Sequence, residues 1–335
     1  MTTTRYRENG SAPFTPEQVA VLVRAATAAP SVHNSQPWRF RDHDDQLDLL
    51  LDAGRPVTVA DPDAREQVIS CGAALGNLRL AMSHLGHDAL VTVLPDADDP
   101  RHLATIRRGA ARPTSASDAL LYEAIYQRRS HRRPFDPEPV SAALLAELSR
   151  AGTSDRTWVR EVATPEDHLA VVELAADAAH LLLADPGYRG ELSHWTRHDT
   201  SRRDGVGLDS LGTEPYPVSG LPWALLSDSR VGIEELRRHP ILVLGTREDT
   251  PGDWLSVGEA LQRLLLLATA RGLAVSLFTQ TVEVPALRST LRRVLGLSGP
   301  PQLILRLGYP VTSVPRTPRR ALESVFVTDA ARLRS

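Results

Sequence analysis

The stretch SCGAALGNLRLAMSHLGHDALV, Ser70 to Val91, returns later in the chain as SVGEALQRLLLLATARGLAVSL, Ser256 to Leu277. Seven positions match without a gap: Ser70/Ser256, Gly72/Gly258, Ala74/Ala260, Leu75/Leu261, Leu78/Leu264, Leu80/Leu266 and Gly86/Gly272. Each copy reads as a long helix closed by a glycine, where a left-handed residue ends the last turn. A short β-rich run follows in both. Apolar side chains fall almost all round the two helices, as in helices buried on every side. One repeat at so wide a separation is not a solenoid. It predicts two related lobes in a single chain, an internal pseudo-dimer around buried central helices, in an α+β fold. A fused pair keeps the self-complementary interface of a homodimer while each half diverges. The cleft between the halves is the natural ligand site.

Outward from the first copy, Thr15-Pro16-Glu17-Gln18 has capping-box spacing with proline at the first helical position. Pro30 stops that helix. Trp38–Phe40 and Leu47–Leu51 read as strands around a polar turn. Asp61 and Asp63, beside Pro62, read as turn and helix-start residues. Pro95–Ser117 reads as the connection between lobes. Helices are expected around Leu120–Gln127, Ser141–Ala151 and Pro165–Ala184, and strands at Pro240–Gly245 and Gln302–Leu307. The lobes are placed at 14–115 and 118–328, packed as one unit. Within the second, the segment at about 195–227 is rich in Gly, Pro, Ser and Asp, yet carries Trp195, Tyr216 and Trp223. A stretch so long and so poor in regular pattern reads as a lid over a cleft.

Composition narrows the chemistry. The chain has 335 residues with a net charge of −3, which gives no reason to expect a nucleic-acid partner. All 38 basic residues are arginine, so lysine Schiff-base or general-base chemistry is excluded. Any side-chain cation that meets an anion is a planar guanidinium, suited to bidentate phosphate binding. Cys71 is the only cysteine, which rules out an intrachain disulfide and argues against a zinc site. The polar start, Met1 to Thr15, lacks the apolar run of a signal peptide, and the longest apolar stretch, Leu264–Ala268, is too short to span a bilayer. A cytoplasmic protein with no membrane partner is expected. Gly205, Gly207 and Gly212 lack dinucleotide-fingerprint spacing, and no Walker or GxSxG motif occurs. His194 and His198 lack a convincing third ligand, so no metal site is assigned.

Two segments stand out. In APSVHNSQPW (Ala29–Trp38) a tight helix-turn-strand connector accounts for Pro30, Ser31 and Pro37, but not for the closely spaced amides of Asn34 and Gln36. Their donors and acceptors suit a heterocycle edge. In RRSHRRPF (Arg128–Phe135) four arginines crowd into six residues. Read alone, this is either a solvated basic turn or a phosphate cradle.

Together the two segments resemble the FMN-dependent nitroreductase superfamily, in particular its Acg-like subgroup of NAD(P)H nitroreductases. DPDARE (Asp61–Glu66), ISCGAAL (Ile69–Leu75) and RLGYP (Arg306–Pro310) resemble that subgroup too, and the likeness runs roughly from Thr15 to Phe326. It implies a nitroreductase-like fold and one FMN per chain, since each motif occurs once and in a different half. Arg128, Arg129, Ser130 and Arg132 or Arg133 would contact phosphate and ribityl. Arg133 would stand where many relatives place lysine near the flavin N1–O2 edge. Pro30, Ser31, Asn34 and Gln36 would border the ring from the other lobe. Thr279 and Gln280 would form the turn whose backbone approaches N5, and Arg319 or Arg320 would reach the phosphate.

The resemblance further implies reduction by NAD(P)H and delivery to a nitroaromatic or quinone-type acceptor in the same cleft, with no side chain assigned as catalytic. A flavin-sequestering protein with a closed lid and little turnover is the alternative. The chain is expected to work as a monomer or weak homodimer.

Overall fold

The computed structural model describes residues 13–43, 45–197, 201–207 and 239–327. Helix α1 (Pro16–Thr27) opens with the expected capping box, in which Thr15 and Gln18 satisfy each other's backbone N–H groups. Strands β1 (Trp38–His43) and β2 (Gln46–Leu51) form a hairpin, and α2 (Arg65–His84) follows. The Asp61 carboxylate accepts from the backbone N–H groups of Glu66 and Gln67, which caps α2 in place of a standard N-cap side chain. After α2 come β3 (His87–Val93) and β4 (His102–Ala111).

Strand β4 corrects the sequence expectation of a connector over Pro95–Ser117. It lies between β2 and β3 as an inner strand, giving an antiparallel sheet of order β1-β2-β4-β3. Its apolar signal is short: only Leu103–Ile106 are buried, and Arg107, Arg108 and Gly109 follow at once. Pairing on both sides holds the strand in place where its own alternation is weak.

Helices α3 (Ala116–Gln127), α4 (Ala142–Gly152), α5 (Pro165–Ala184) and α6 (Pro186–Trp195) come next, with β5 (Thr157–Val162) between α4 and α5. The two-residue strands β6 (Thr196–Arg197) and β7 (Val206–Gly207) pair in parallel. Strand β8 (Ile241–Thr246), helix α7 (Pro251–Ala270), β9 (Ala274–Leu277), the single turn α8 (Gln280–Glu283), α9 (Pro285–Val294) and β10 (Pro301–Gly308) complete the regular structure. The second antiparallel sheet has the order β5-β8-β10-β9. It repeats the first: two strands, then a buried helix, then an edge strand, then a strand inserted beside it.

Among the described residues, the repeated helices α2 and α7 make the most extensive contact between elements. Both end as expected, with Gly86 at φ 81 and Gly272 at φ 78. Where they cross, a Cβ on Gly72 would collide with the Leu255 carbonyl, and one on Gly258 with the Ile69 carbonyl. Ile69 and Leu255 are themselves equivalent positions of the repeat, so the contact is reciprocal. Side chains cross as well: Ile69 of α2 joins the core under the second sheet, while Leu255 and Leu266 of α7 join the core under the first. Next along, Gln262 donates to Asn77 Oδ1 at 2.7 Å, and Asn77 donates to the Ala25 carbonyl at 2.7 Å.

The C-terminal residues return to the first sheet. Val325 is fully buried in its core, and Val327 N–H donates to the Phe40 carbonyl at 2.8 Å. Among the described residues no helix is long and apolar enough to cross a membrane.

A methyl at the crossing has nowhere to go, because its neighbours are backbone. Gly258→Ala is therefore expected to destabilise the chain by about 1–3 kcal/mol or more in urea unfolding. Gly190→Ala, in α6 with open space around it, is the control and should be neutral or slightly stabilising.

Candidate functional site

The segment joining α1 to β1 holds an unusual backbone. His33, Asn34 and Gln36 all have positive φ, at 49, 54 and 53 degrees. For residues with a Cβ each such conformation costs on the order of 1 kcal/mol, so the surroundings must impose it. Asn34 Nδ2 donates to the Gly205 carbonyl at 3.0 Å, and Asn34 Oδ1 accepts from Arg319 at 3.1 Å. Gln36 Nε2 donates to the Arg203 carbonyl at 2.8 Å, and its Oε1 accepts from Arg320 N–H at 2.8 Å. The two amides thus clamp residues 203–205 and the 318–320 stretch. Arg319 also donates to the carbonyls of Thr27, Ala28 and Ala29, which closes the C-terminal end of α1 with a cation.

Trp195 corrects the expectation that a loop begins there: it ends helix α6, is buried and lines a cavity. Glu191 of the same helix accepts from the backbone N–H groups of Thr58, Val59 and Ala60 at 2.6 to 3.0 Å, which fixes α6 over the first sheet's loop. Residues 208–227 of the expected lid lie outside the described residues, as does His198.

A chamber opens between the repeated helices. Ile69, Ser70 and Ala73 of α2 and Leu261 of α7 line it, with Pro30, Ser31 and His33, Leu277, Thr279 and Gln280, and Trp195 and Val206. A second, smaller cavity shares Pro30, Ser31, Ser130, Arg132 and Val206 with the first. Five arginines line this second space, Arg128, Arg129, Arg132, Arg316 and Arg319, and none of its lining side chains is a carboxylate.

The charge there is poorly compensated. Arg128 is buried, its Nε has no hydrogen-bond partner among the described residues, and its contacts to the Ala28 carbonyl and Ser130 Oγ are long, at 3.4 and 3.5 Å. Burial, then Arg129, Arg132 and Arg316, hold its pKa down at about 10. Burial lowers Arg132 to about 10 as well. Desolvation followed by neighbouring arginines lowers Arg319 to about 9. All three stay cationic at neutral pH. A cluster of this kind is favourable only when an anion with several acceptor oxygens meets it. The donor set therefore fits a phosphate group.

Of the residues singled out from sequence, Pro30, Ser31, Ser130 and Arg132 line both spaces. Asn34, Arg128, Arg129 and Arg319 line the basic cavity, and Thr279 and Gln280 the chamber. Gln36, Arg133 and Arg320 line neither: Gln36 is spent on Arg203 and Arg320, Arg320 also pairs with Asp52, and Arg133 reaches Thr312. Sequence reasoning missed Arg316, although RTPRR (Arg316–Arg320) is as arginine-dense as the cluster that was noticed. It also missed Glu66 and Glu283, which line the chamber. His33 lines it too, with its pKa lowered to about 4, chiefly by burial. Among the described residues there is no cluster of three or more metal-binding side chains.

No family model matches the chain. Among curated proteins, "Putative NAD(P)H nitroreductase Rv3131" of Mycobacterium tuberculosis is 34% identical over 316 residues, covering 92% of this chain and 91% of its own length. "Putative NAD(P)H nitroreductase acg" of the same organism is 32% identical over 322 residues, 93% of this chain and 96% of its own. The chain belongs to this Acg-like family of nitroreductases. Solved structures that it resembles include the FMN-dependent nitroreductase NfnB from Mycobacterium smegmatis in complex with NADPH. That likeness has 17% identity and a TM-score of 0.42, over 63% of this chain and 98% of the other. A nitroreductase with bound FMN from Bacteroides fragilis matches at 16% identity and a TM-score of 0.38, over 62% and 98%.

If Gln36 serves as a clamp, Gln36→Ala should free the 203–205 backbone. Tryptic cleavage after Arg203, followed by mass spectrometry, is then expected to quicken by about tenfold or more, since cleavage of a folded chain tracks local opening.

Proposed function

We propose that the chain is an NAD(P)H-dependent oxidoreductase that binds one FMN, with the ring in the chamber and the phosphate in the arginine cavity. The observation that carries this reading is the shared wall of the two spaces. A mostly apolar chamber runs directly into a pocket lined by five guanidiniums and no carboxylate.

In this reading Arg128, Arg129, Ser130, Arg132, Arg316 and Arg319 hold the phosphate. Arg132 takes the bordering position first expected of Arg133, because it lines both spaces. Pro30, Ser31, Thr279 and Gln280 flank the ring. Bound FMN supplies hydride acceptance from NAD(P)H and electron delivery to a nitroaromatic or quinone-type acceptor. The protein positions the group, excludes water with Trp195 and Leu192, and neutralises the phosphate. The reciprocal contact of Gly72 and Gly258 supports an internal pseudo-dimer with lobes at 14–115 and 118–328, although the tail at 325–327 packs on the first. Because one chain supplies both walls of the site, it is expected to work as a monomer.

One observation favours the flavin-sequestering alternative. The 203–206 segment is tied down beside the chamber by Asn34 and Gln36, and Val206 forms part of the wall. Anaerobic titration of the yellow protein with NADPH separates the two. Bleaching of the flavin band within seconds supports the reductase; a flavin that dithionite reduces and neither NADPH nor NADH touches supports sequestration.

FMN titration of the apoprotein, read by flavin fluorescence, should saturate at one per chain. Arg132→Ala should raise Kd about tenfold or more, since a charge-assisted hydrogen bond contributes roughly 1.5–3 kcal/mol. Apoprotein that takes up no FMN would sink the proposal.

A further inference from the structure

Glu283 closes the single turn α8 and lines the chamber beside Thr279 and Gln280. We propose that its carboxyl selects the ring that enters the chamber, by accepting a hydrogen bond from a carboxamide NH2 group carried on that ring. The proposal rests on the oxidoreductase reading above, which assigns no residue to a substituent of the substrate.

The carboxyl is held from two elements. Thr279, one turn earlier, donates to Glu283 Oε1 at 3.0 Å, and Tyr188 donates to Oε2 at 3.5 Å. Tyr188 is buried in the first turn of α6, the helix that Glu191 fastens to the backbone of residues 58–60. Among the described residues each carboxyl oxygen thus has one hydroxyl donor, whereas a carboxylate offers about four lone-pair sites. Acceptor capacity is left over, on a group that its neighbours already orient. It is also reachable. Thr281 and Val282 of the same turn are buried, but Glu283 keeps part of its surface accessible, and the chamber is the space it lines.

The other polar groups of the chamber are more fully engaged. Arg65 donates to Glu66 Oε1 at 3.0 Å and also to the carbonyls of Gln302 and Val282, so Glu66 belongs to a buried ion pair that ties α2 to β10 and α8. Ser70 Oγ donates to the Glu66 carbonyl at 2.7 Å and accepts from Val32 N–H at 3.1 Å. Around them Ile69, Leu261, Leu277 and Trp195 form apolar wall. In a chamber of this kind the apolar wall takes a flat ring, and a few polar groups decide which ring and in which orientation.

An ionised carboxylate accepts hydrogen bonds and donates none. It therefore favours an N–H donor, gains nothing from a ketone and repels a carboxylate. A carboxamide on an aromatic ring is present on the reductant, as the nicotinamide, and an acceptor such as a nitrobenzamide carries the same group. The chemistry that Glu283 recognises is common to both.

Two matched pairs of compounds exchange only NH2 for methyl: nicotinamide with its acetylpyridine counterpart, and para-nitrobenzamide with para-nitroacetophenone. Each is titrated into the oxidised holoprotein without reductant, and binding is read from perturbation of the flavin absorbance band, so no turnover is involved. Burial brings Glu283 to about 7, and the titrations are made above that value, where the carboxylate form dominates. In at least one pair the amide should bind about tenfold more tightly than the ketone, as a hydrogen bond to a charged group provides. The pair that discriminates identifies the source, reductant or acceptor.

Glu283→Leu should abolish the preference. Glu283→Gln, which keeps a carbonyl oxygen without the charge, should leave an intermediate one. Damage to packing alone would weaken amide and ketone alike, so the ratio separates recognition from a structural role. Wild-type protein that binds amide and ketone equally in both pairs overturns the proposal, and so does a preference that survives Glu283→Leu. Apoprotein that takes up no FMN overturns instead the reading on which the proposal rests.

Discussion

Two helices touching through backbone set the terms for everything else in this molecule. At the crossing of α2 and α7 the only tolerated side chain at positions 72 and 258 is a hydrogen atom. That proximity lets Ile69 and Leu255 reach past the partner helix into the opposite core. The two sheets therefore do not have independent interiors. Interiors at crystal-like density transmit a shift at such a contact to everything stacked on it. The chamber begins beside this crossing, walled by Ile69 and Ala73 on one helix and Leu261 on the other, so the helix contact also bears on the width of the cleft.

Within the cleft, charge is sorted by position. Five guanidiniums and no carboxylate line the second cavity, while Glu66 and Glu283 line the chamber. Glu66 is paired with Arg65, whereas no carboxylate lines the arginine cavity. Sites for ligands and protons are commonly built this way, since an unmet charge is what a bound group answers.

Much of this was legible in the sequence. The repeat predicted the buried helices, and the capping box, the terminal glycines and most of the second-half elements fell where pattern placed them. Arg128, Ser130 and Arg132 stood out by density alone. Strand β4 was lost because four buried residues followed by Arg107 and Arg108 read as polar loop, and only pairing on both edges reveals an inner strand. Gln36 was legible as important but not in its role: an amide suited to a heterocycle edge is equally suited to backbone carbonyls. Which of two adjacent arginines turns inward, Arg132 or Arg133, depends on backbone direction after Ser130, and spacing carries no record of that. Glu66 and Glu283 are separated by most of the chain, so their place in one chamber is a property of topology.

The tail has a consequence for how the molecule comes into being. Val325 fills the interior beneath the first sheet, and Arg319 closes helix α1, so α1 and β1 wait for residues far along the chain. A chain emerging from the ribosome presents α1 and β1 long before residues 316–327 exist to finish them. The basic pocket is likewise incomplete until Arg316 and Arg319 arrive. The arginine cavity thus forms only after Arg316 and Arg319 have been made.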